Sequence, residues 1–251
     1  MPILPGAEPF RFDGGRTGAL LVHGFTGCPQ SMRPWGEYLA AHGLSVLGPR
    51  LPGHGTRWQD LNLTTWQDWY GEAERALDDL RSRCDHVFVM GLSMGGTLTL
   101  RLAEERGDDI SGICLVNPSI LTENKAFRFI GAISRGIPSL KGVGSDIKAP
   151  GVVELAYPRT PLRAAASLGR LWPLVRADLG KITVPVLLLR SSVDHVVEPS
   201  NGPALLAALG SDDVRDIVLE DSYHVATLDN DKERIFEESL AFVRQHAGVG
   251  A

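Results

Sequence analysis

The stretch Val87-Phe-Val-Met-Gly-Leu-Ser-Met-Gly-Gly-Thr97 decides how this chain folds. It reads as a short apolar strand, then Gly91-x-Ser93-x-Gly95, then a helix that continues through Thr97 to Glu105. A chain that passes from strand to helix in so few residues turns sharply, with Ser93 at the apex in a strained backbone conformation. Gly91 and Gly95 flank the apex because a side chain at either position would collide across the turn. The serine hydroxyl is thereby raised above the sheet edge at a helix N-terminus, where partial positive charge favours a developing anion. Such a turn is a nucleophile elbow if the right partners surround it, and a serine-capped helix start if they do not.

Outward from this turn, apolar runs alternate with helical patterns. Gly18–Val22, Leu44–Leu47, Ile113–Val116, Pro185–Leu189 and Val214–Leu219 read as strands. Ser31–His42 and Trp66–Arg83 read as helices, with Phe236, Leu240 and Val243 marking the inner face of a C-terminal one. Trp66, Trp69, Tyr70, Ala73, Ala76, Leu77 and Leu80 share one face at helical spacing, which marks core rather than a cofactor box. The fold class is α/β: a mainly parallel central sheet with flanking helices, in one domain covering residues 1–251. Between about 118 and 172 the alternation breaks into prolines, glycines and scattered large apolar residues. A structureless loop of that length is unusual, so this segment is expected to be an inserted cap with short helices.

Composition narrows the function. The 251 residues carry a net charge of -5 and no Lys/Arg run, which argues against a nucleic-acid surface. No apolar stretch approaches the ~20 residues of a membrane span, and the N-terminus lacks the pattern of a secretory signal. Cys28, Cys84 and Cys114 have no motif spacing; Cys84 and Cys114 read as half-buried thiols, and a reducing cytoplasm is the simplest setting. The oligomeric state is left open.

A serine hydroxyl needs a base to take its proton and donors to hold the resulting oxyanion. Three histidines follow Ser93. His246 reads as an exposed residue at a helix C-terminus and His195 directly follows Asp194. His224, in Asp221-Ser-Tyr-His-Val-Ala-Thr227, falls between the last strand and the last helix and is the expected base. Asp194, a short loop beyond a strand, is the favoured acid, with Glu198 and Asp221 as rivals. The oxyanion donors are expected to be the backbone N–H groups of Met94, next to the nucleophile, and Phe25, in His23-Gly-Phe-Thr-Gly27. His23 reads as bonded within its loop and His54, in Pro52-Gly-His-Gly55, as a turn residue. Neither has metal-ligand company, so neither metal nor cofactor is expected.

Together with these segments, Gly91-Leu-Ser-Met-Gly-Gly-Thr-Leu-Thr-Leu100 and Ser222-Tyr-His-Val-Ala-Thr-Leu-Asp229 make the chain resemble the bacterial monoacylglycerol lipases and similar small carboxylesterases, which are α/β hydrolases. The likeness runs from about Leu20 to Phe242, with departures around Ala126–Phe129 and Gly136–Pro138. It implies Ser93, Asp194 and His224 as triad, Phe25 and Met94 as oxyanion donors, and a cap that shapes an acyl tunnel. It also implies that Glu154, in Glu154-Leu-Ala-Tyr157, faces the glycerol head of a small-molecule ester. Hydrolysis of monoacylglycerols is the expected activity. A short- to medium-chain carboxylesterase, a thioesterase or a peptidase is the near alternative, and a non-catalytic ligand-binding shell the alternative of a different class.

Overall fold

Alternate residues of a strand face opposite sides of its sheet, and here both sides are covered. The computed structural model describes residues 2–248. In chain order the elements are β1 (Phe10–Phe12), β2 (Thr17–Val22), α1 (Arg33–Ala41), β3 (Ser45–Gly48), α2 (Trp58–Leu61), α3 (Trp66–Arg81), β4 (His86–Leu92), α4 (Met94–Arg106) and β5 (Gly112–Val116). They continue with α5 (Ile130–Ile133), β6 (Ser139–Lys141), β7 (Arg159–Pro161), α6 (Leu162–Asp178), β8 (Val186–Ser191), α7 (Asn201–Leu206), β9 (Val214–Leu219) and α8 (Lys232–His246). Seven strands form one sheet in the order β1-β3-β2-β4-β5-β8-β9, parallel throughout except for β1 against β3.

The strand residues divide as the period of two requires. Leu20, Val89, Ile113 and Leu188 pack with Trp69 of α3, Leu98 of α4 and Leu171 of α6 on one face. Leu21, Met90, Cys114 and Leu189 pack with Trp35 of α1 and Leu240 of α8 on the other. Burial on both faces explains why β4, β5 and β8 read as unbroken apolar runs rather than as alternations. On α3 the stripe Trp69, Ala73, Leu77 and Leu80 is fully buried, while Trp66 and Tyr70 sit half-buried at its border.

Helix α4 starts at Met94, directly after the serine. Several local expectations need correction. Cys84 and Cys114 are fully buried, not half-buried. His246 is mostly covered, with its ring centroid 4.5 Å from that of Phe242 and Nε2 3.7 Å from an Asp213 oxygen. Strands β1, β6 and β7 span three residues each, too few to leave a period-two mark in the sequence. The excursion after β5 holds a 3₁₀ turn at Lys125–Phe129, then α5 and an antiparallel β6–β7 pair. The boundary expected near 172 falls inside α6, whose buried face packs on α4. Among the described residues no helix is long and apolar enough to cross a membrane.

The elbow glycines are fixed by close approach. A Cβ on Gly91 would lie 2.3 Å from the Gly95 carbonyl oxygen, across the turn as expected. A Cβ on Gly95 would lie 2.0 Å from the carbonyl oxygen of Val22, so that collision is with β2 and not with the turn. Backbone cannot yield as a flexible side chain does. Gly95→Ala is therefore expected to cost about 1–3 kcal/mol of stability, read as a fall in melting temperature of roughly 3–10 °C; an unchanged melting curve would contradict this packing.

Candidate active site

Four strands deliver the candidate residues to one edge of the sheet. Ser93 follows β4, Phe25 follows β2, Asp194 follows β8 and His224 follows β9, all at carboxyl ends, where open α/β sheets place their ligands. Ser93 holds φ 56° and ψ −117°, a left-handed φ that a non-glycine residue adopts only when its surroundings force it. Its N–H donates to the carbonyl of Val116 at the end of β5 (2.9 Å), which pins the apex to the neighbouring strand.

His224 and Asp194 are joined directly. Nδ1 of His224 lies 2.8 Å from Oδ2 of Asp194, and both side chains are almost wholly buried. The other carboxylate oxygen of Asp194 accepts from the N–H groups of Val196 and Val197, each at 2.8 Å. Burial pulls the Asp194 carboxyl up, but the His224 bond and charge and the two backbone donors hold it below the usual range. Burial pulls the His224 imidazole down, but the bond and charge of Asp194, with help from Glu154 and Asp146, raise it above its ordinary value. Oγ of Ser93 makes no hydrogen bond to His224 in this conformation, although both line one cavity of about 230 Å³.

The rival acids have other partners. Glu198 accepts from Thr122 Oγ1 and the Glu123 N–H, and Asp221 pairs with Lys148 Nζ at 2.7 Å. His195 bonds Asp146 Oδ1 through Nδ1 at 2.8 Å. His23 is locked inside its loop: Nδ1 pairs with the Gly24 carbonyl and Nε2 accepts from the Leu51 N–H. Burial pushes His23 down to about 4 and His54 well below its usual value, so both stay neutral. Gly24 packs against the Ser93 side chain, and among the described residues neither Phe25 N–H nor Met94 N–H has an acceptor. For Met94 this follows from its place in the first turn of α4.

Glu154 is half-buried and lines the same cavity as Ser93. It approaches because Gly27 has no side chain; a Cβ there would sit 2.6 Å from Glu154 Oε1. Burial pushes its carboxyl up to about 7 against the opposing pull of His224. Its carboxylate has no hydrogen-bond partner among the described residues.

Sequence reasoning missed the groups that hold the His224 loop. Asn117, at φ 45°, donates through Nδ2 to the His224 carbonyl (2.8 Å) and to Ser191 Oγ (2.9 Å). Ser191 Oγ in turn donates to the Tyr223 carbonyl. Asp229 accepts four backbone N–H groups, from Lys148, Ala149, Tyr223 and Asn230, at 2.7–2.8 Å. Asp146 accepts from the N–H groups of His195 and His224, both at 3.2 Å. Asn117 could have been suspected from Asn-Pro at a strand end; Asp146 carries no sequence signal.

The family model described as serine aminopeptidase, S33 matches residues 16–231. A thermostable monoacylglycerol lipase of Bacillus sp. (strain H-257) is 44% identical, with 98% of each chain covered. A carboxylesterase of Bacillus subtilis (strain 168) is 26% identical over 95% of this chain and 96% of its own. A solved structure reported for the metagenome-derived lipolytic enzymes LipS and LipT superposes with a TM-score of 0.95 at 44% identity, covering 98% of this chain and 100% of that one.

The two buried histidine environments make opposite titrations. In an NMR titration the His224 imidazole is expected to protonate above the ordinary ~6.5 and His23 only near 4. Asp194→Asn removes the anion that raises His224, so its midpoint should fall; a midpoint that stays put would show that Asp194 does not set it.

Proposed function

This chain belongs to the family described as serine aminopeptidase, S33, within the α/β hydrolases, and on that premise we propose that it is a serine hydrolase of carboxylic esters whose substrates are monoacylglycerols. The observation that carries the reading is the buried Asp194–His224 pair opening onto the same cavity as Ser93.

In this reading Ser93 Oγ attacks the ester carbonyl while His224 Nε2 takes its proton. Asp194 holds Nδ1–H, fixing the tautomer and stabilising the imidazolium. The carbonyl oxygen becomes an oxyanion that accepts from the Phe25 and Met94 N–H groups, both without competing acceptors among the described residues. His224 then protonates the leaving alcohol, water enters by the same route, and the fatty acid is released. The Ser93–His224 bond forms with substrate in place, since such bonds are often long in unliganded enzymes.

Two features favour a monoacylglycerol. At about 230 Å³ the cavity is smaller than the ~300–1,000 Å³ of common ligand pockets, which suits one slender chain rather than two or three. Glu154, without a hydrogen-bond partner among the described residues and with its carboxyl pushed up to about 7 by burial, would accept hydrogen bonds from alcohol hydroxyls as they leave water. A cytoplasmic location belongs to the same proposal, since all three cysteines are unpaired and buried.

Steady-state hydrolysis of monoacylglycerols, against matched di- and triacylglycerols, simple alkyl esters, thioesters and aminoacyl amides, tests the reading. Monoacylglycerols should be preferred, Ser93→Ala should lose on the order of 10⁴-fold or more in kcat, and a fluorophosphonate should label the wild type at Ser93 alone. Equal use of short alkyl esters would make it a general carboxylesterase; a folded Ser93→Ala with full activity would end the proposal. Glu154→Gln should raise KM for monoacylglycerols about tenfold, with a smaller change for alkyl esters. Below pH 7, where Glu154 takes up its proton, the wild type should drift toward the variant's KM.

A further inference from the structure

The cavity beside Ser93 has an open side and a closed side. Val143 on its lining is 69% exposed, whereas Ala165, Leu168 and Trp172 are at most 8% exposed. These last three follow one face of α6, so at ~1.5 Å of rise per residue they make about 10 Å of continuous wall. Where that wall ends, Trp172 meets Phe127, with ring centroids 5.0 Å apart and planes 37° apart. Phe127 is seated there because residue 169 is glycine: a Cβ would lie 2.4 Å from Phe127 Cε1.

Behind the two rings lies a second groove of about 320 Å³. It shares Leu121, Thr122, Phe127 and Trp172 with the cavity, so these residues are a partition one side chain thick. Phe127 belongs to the 3₁₀ turn Lys125–Phe129, held by Asn124 Oδ1, which accepts from the Ala126 N–H at 3.0 Å.

We propose that Phe127 is the stop that sets acyl chain length. The inference rests on the ester-hydrolase reading above and adds a residue and a length to it. The acyl chain runs from Ser93 along α6 and ends against the Phe127 ring. Carbon–carbon bonds near ~1.5 Å advance a zigzag chain by about 1.25 Å per carbon, so the α6 wall lies alongside about eight carbons. Up to the ring, each buried methylene improves kcat/KM by about fourfold. Beyond it, further carbons have no apolar wall to meet. Removing the ring joins the cavity to the outer groove and gives longer chains somewhere to go.

The test is the ratio of kcat/KM for 16-carbon over 8-carbon acyl esters of one alcohol, read within each protein so that any loss of folded material cancels. The wild-type ratio should be one or less, and Phe127→Ala should raise it by at least about tenfold; Phe127→Leu is read the same way if the alanine variant aggregates. A ratio that stays level or falls overturns the proposal. The same ratio measured as fatty-acid affinity in Ser93→Ala protein, by calorimetry, judges Phe127 without turnover. A wild type that hydrolyses none of the esters would count against the hydrolase reading, and the affinity ratio would still decide the stop.

Discussion

The site depends on the close approach of three backbones at the elbow. With only hydrogen atoms on Gly91 and Gly95, α4 can start against the carboxyl end of β2 while Ser93 stands between them at positive φ. Holding a serine there costs roughly 1–3 kcal/mol, and the strands on either side supply the rigidity: Ser93 N–H is tied to β5, and Gly24 beyond β2 packs against its side chain. The same packing therefore sets the nucleophile, the free N–H of Met94 and the distance to Phe25. Widening the gap by one methyl group would move all three together.

The histidine is held by different physics. Beyond the burial of Val225, Ala226 and Leu228 in the core, its loop is fastened by hydrogen bonds. Asp229 alone satisfies four backbone N–H groups in a place almost without water, and Asn117 and Ser191 hold the carbonyls of Tyr223 and His224. Each buried N–H left without an acceptor costs on the order of 1–3 kcal/mol. The loop thus has one low-energy arrangement, and the ring enters the cavity already bonded to Asp194.

What the sequence made legible follows from these two kinds of constraint. The elbow, the parallel sheet and the α3 stripe were readable because sterics and burial leave periodic or spaced marks: G-x-S-x-G, apolar runs, Trp69–Leu77–Leu80. The residues singled out as Ser93, Asp194, His224, Phe25, Met94 and Glu154 were found by chain order and likeness; of these Ser93, His224, Phe25 and Glu154 line one cavity, Asp194 is bonded to His224, and Met94 follows Ser93 at the start of α4. Asp146, Asn117 and Asp229 were not legible as loop fasteners, because a carboxylate that accepts from backbone leaves no trace in spacing. Nor could the place of Phe127 be read, since it depends on a glycine 42 positions later.

The fasteners of the His224 loop have a consequence for how this protein could diverge. Asp146, Lys148 and Ala149 belong to the excursion that roofs the cavity, yet they bond directly to the loop that carries the histidine. Roof and base are one mechanical piece along residues 146–149. A lineage under selection for new substrates is free to rewrite the roof only where it is not also a strut, at the 3₁₀ turn, α5 and the β6 strand. Substrate range and catalytic competence are thereby separated along the same insertion, with change tolerated in its first half and resisted in the middle.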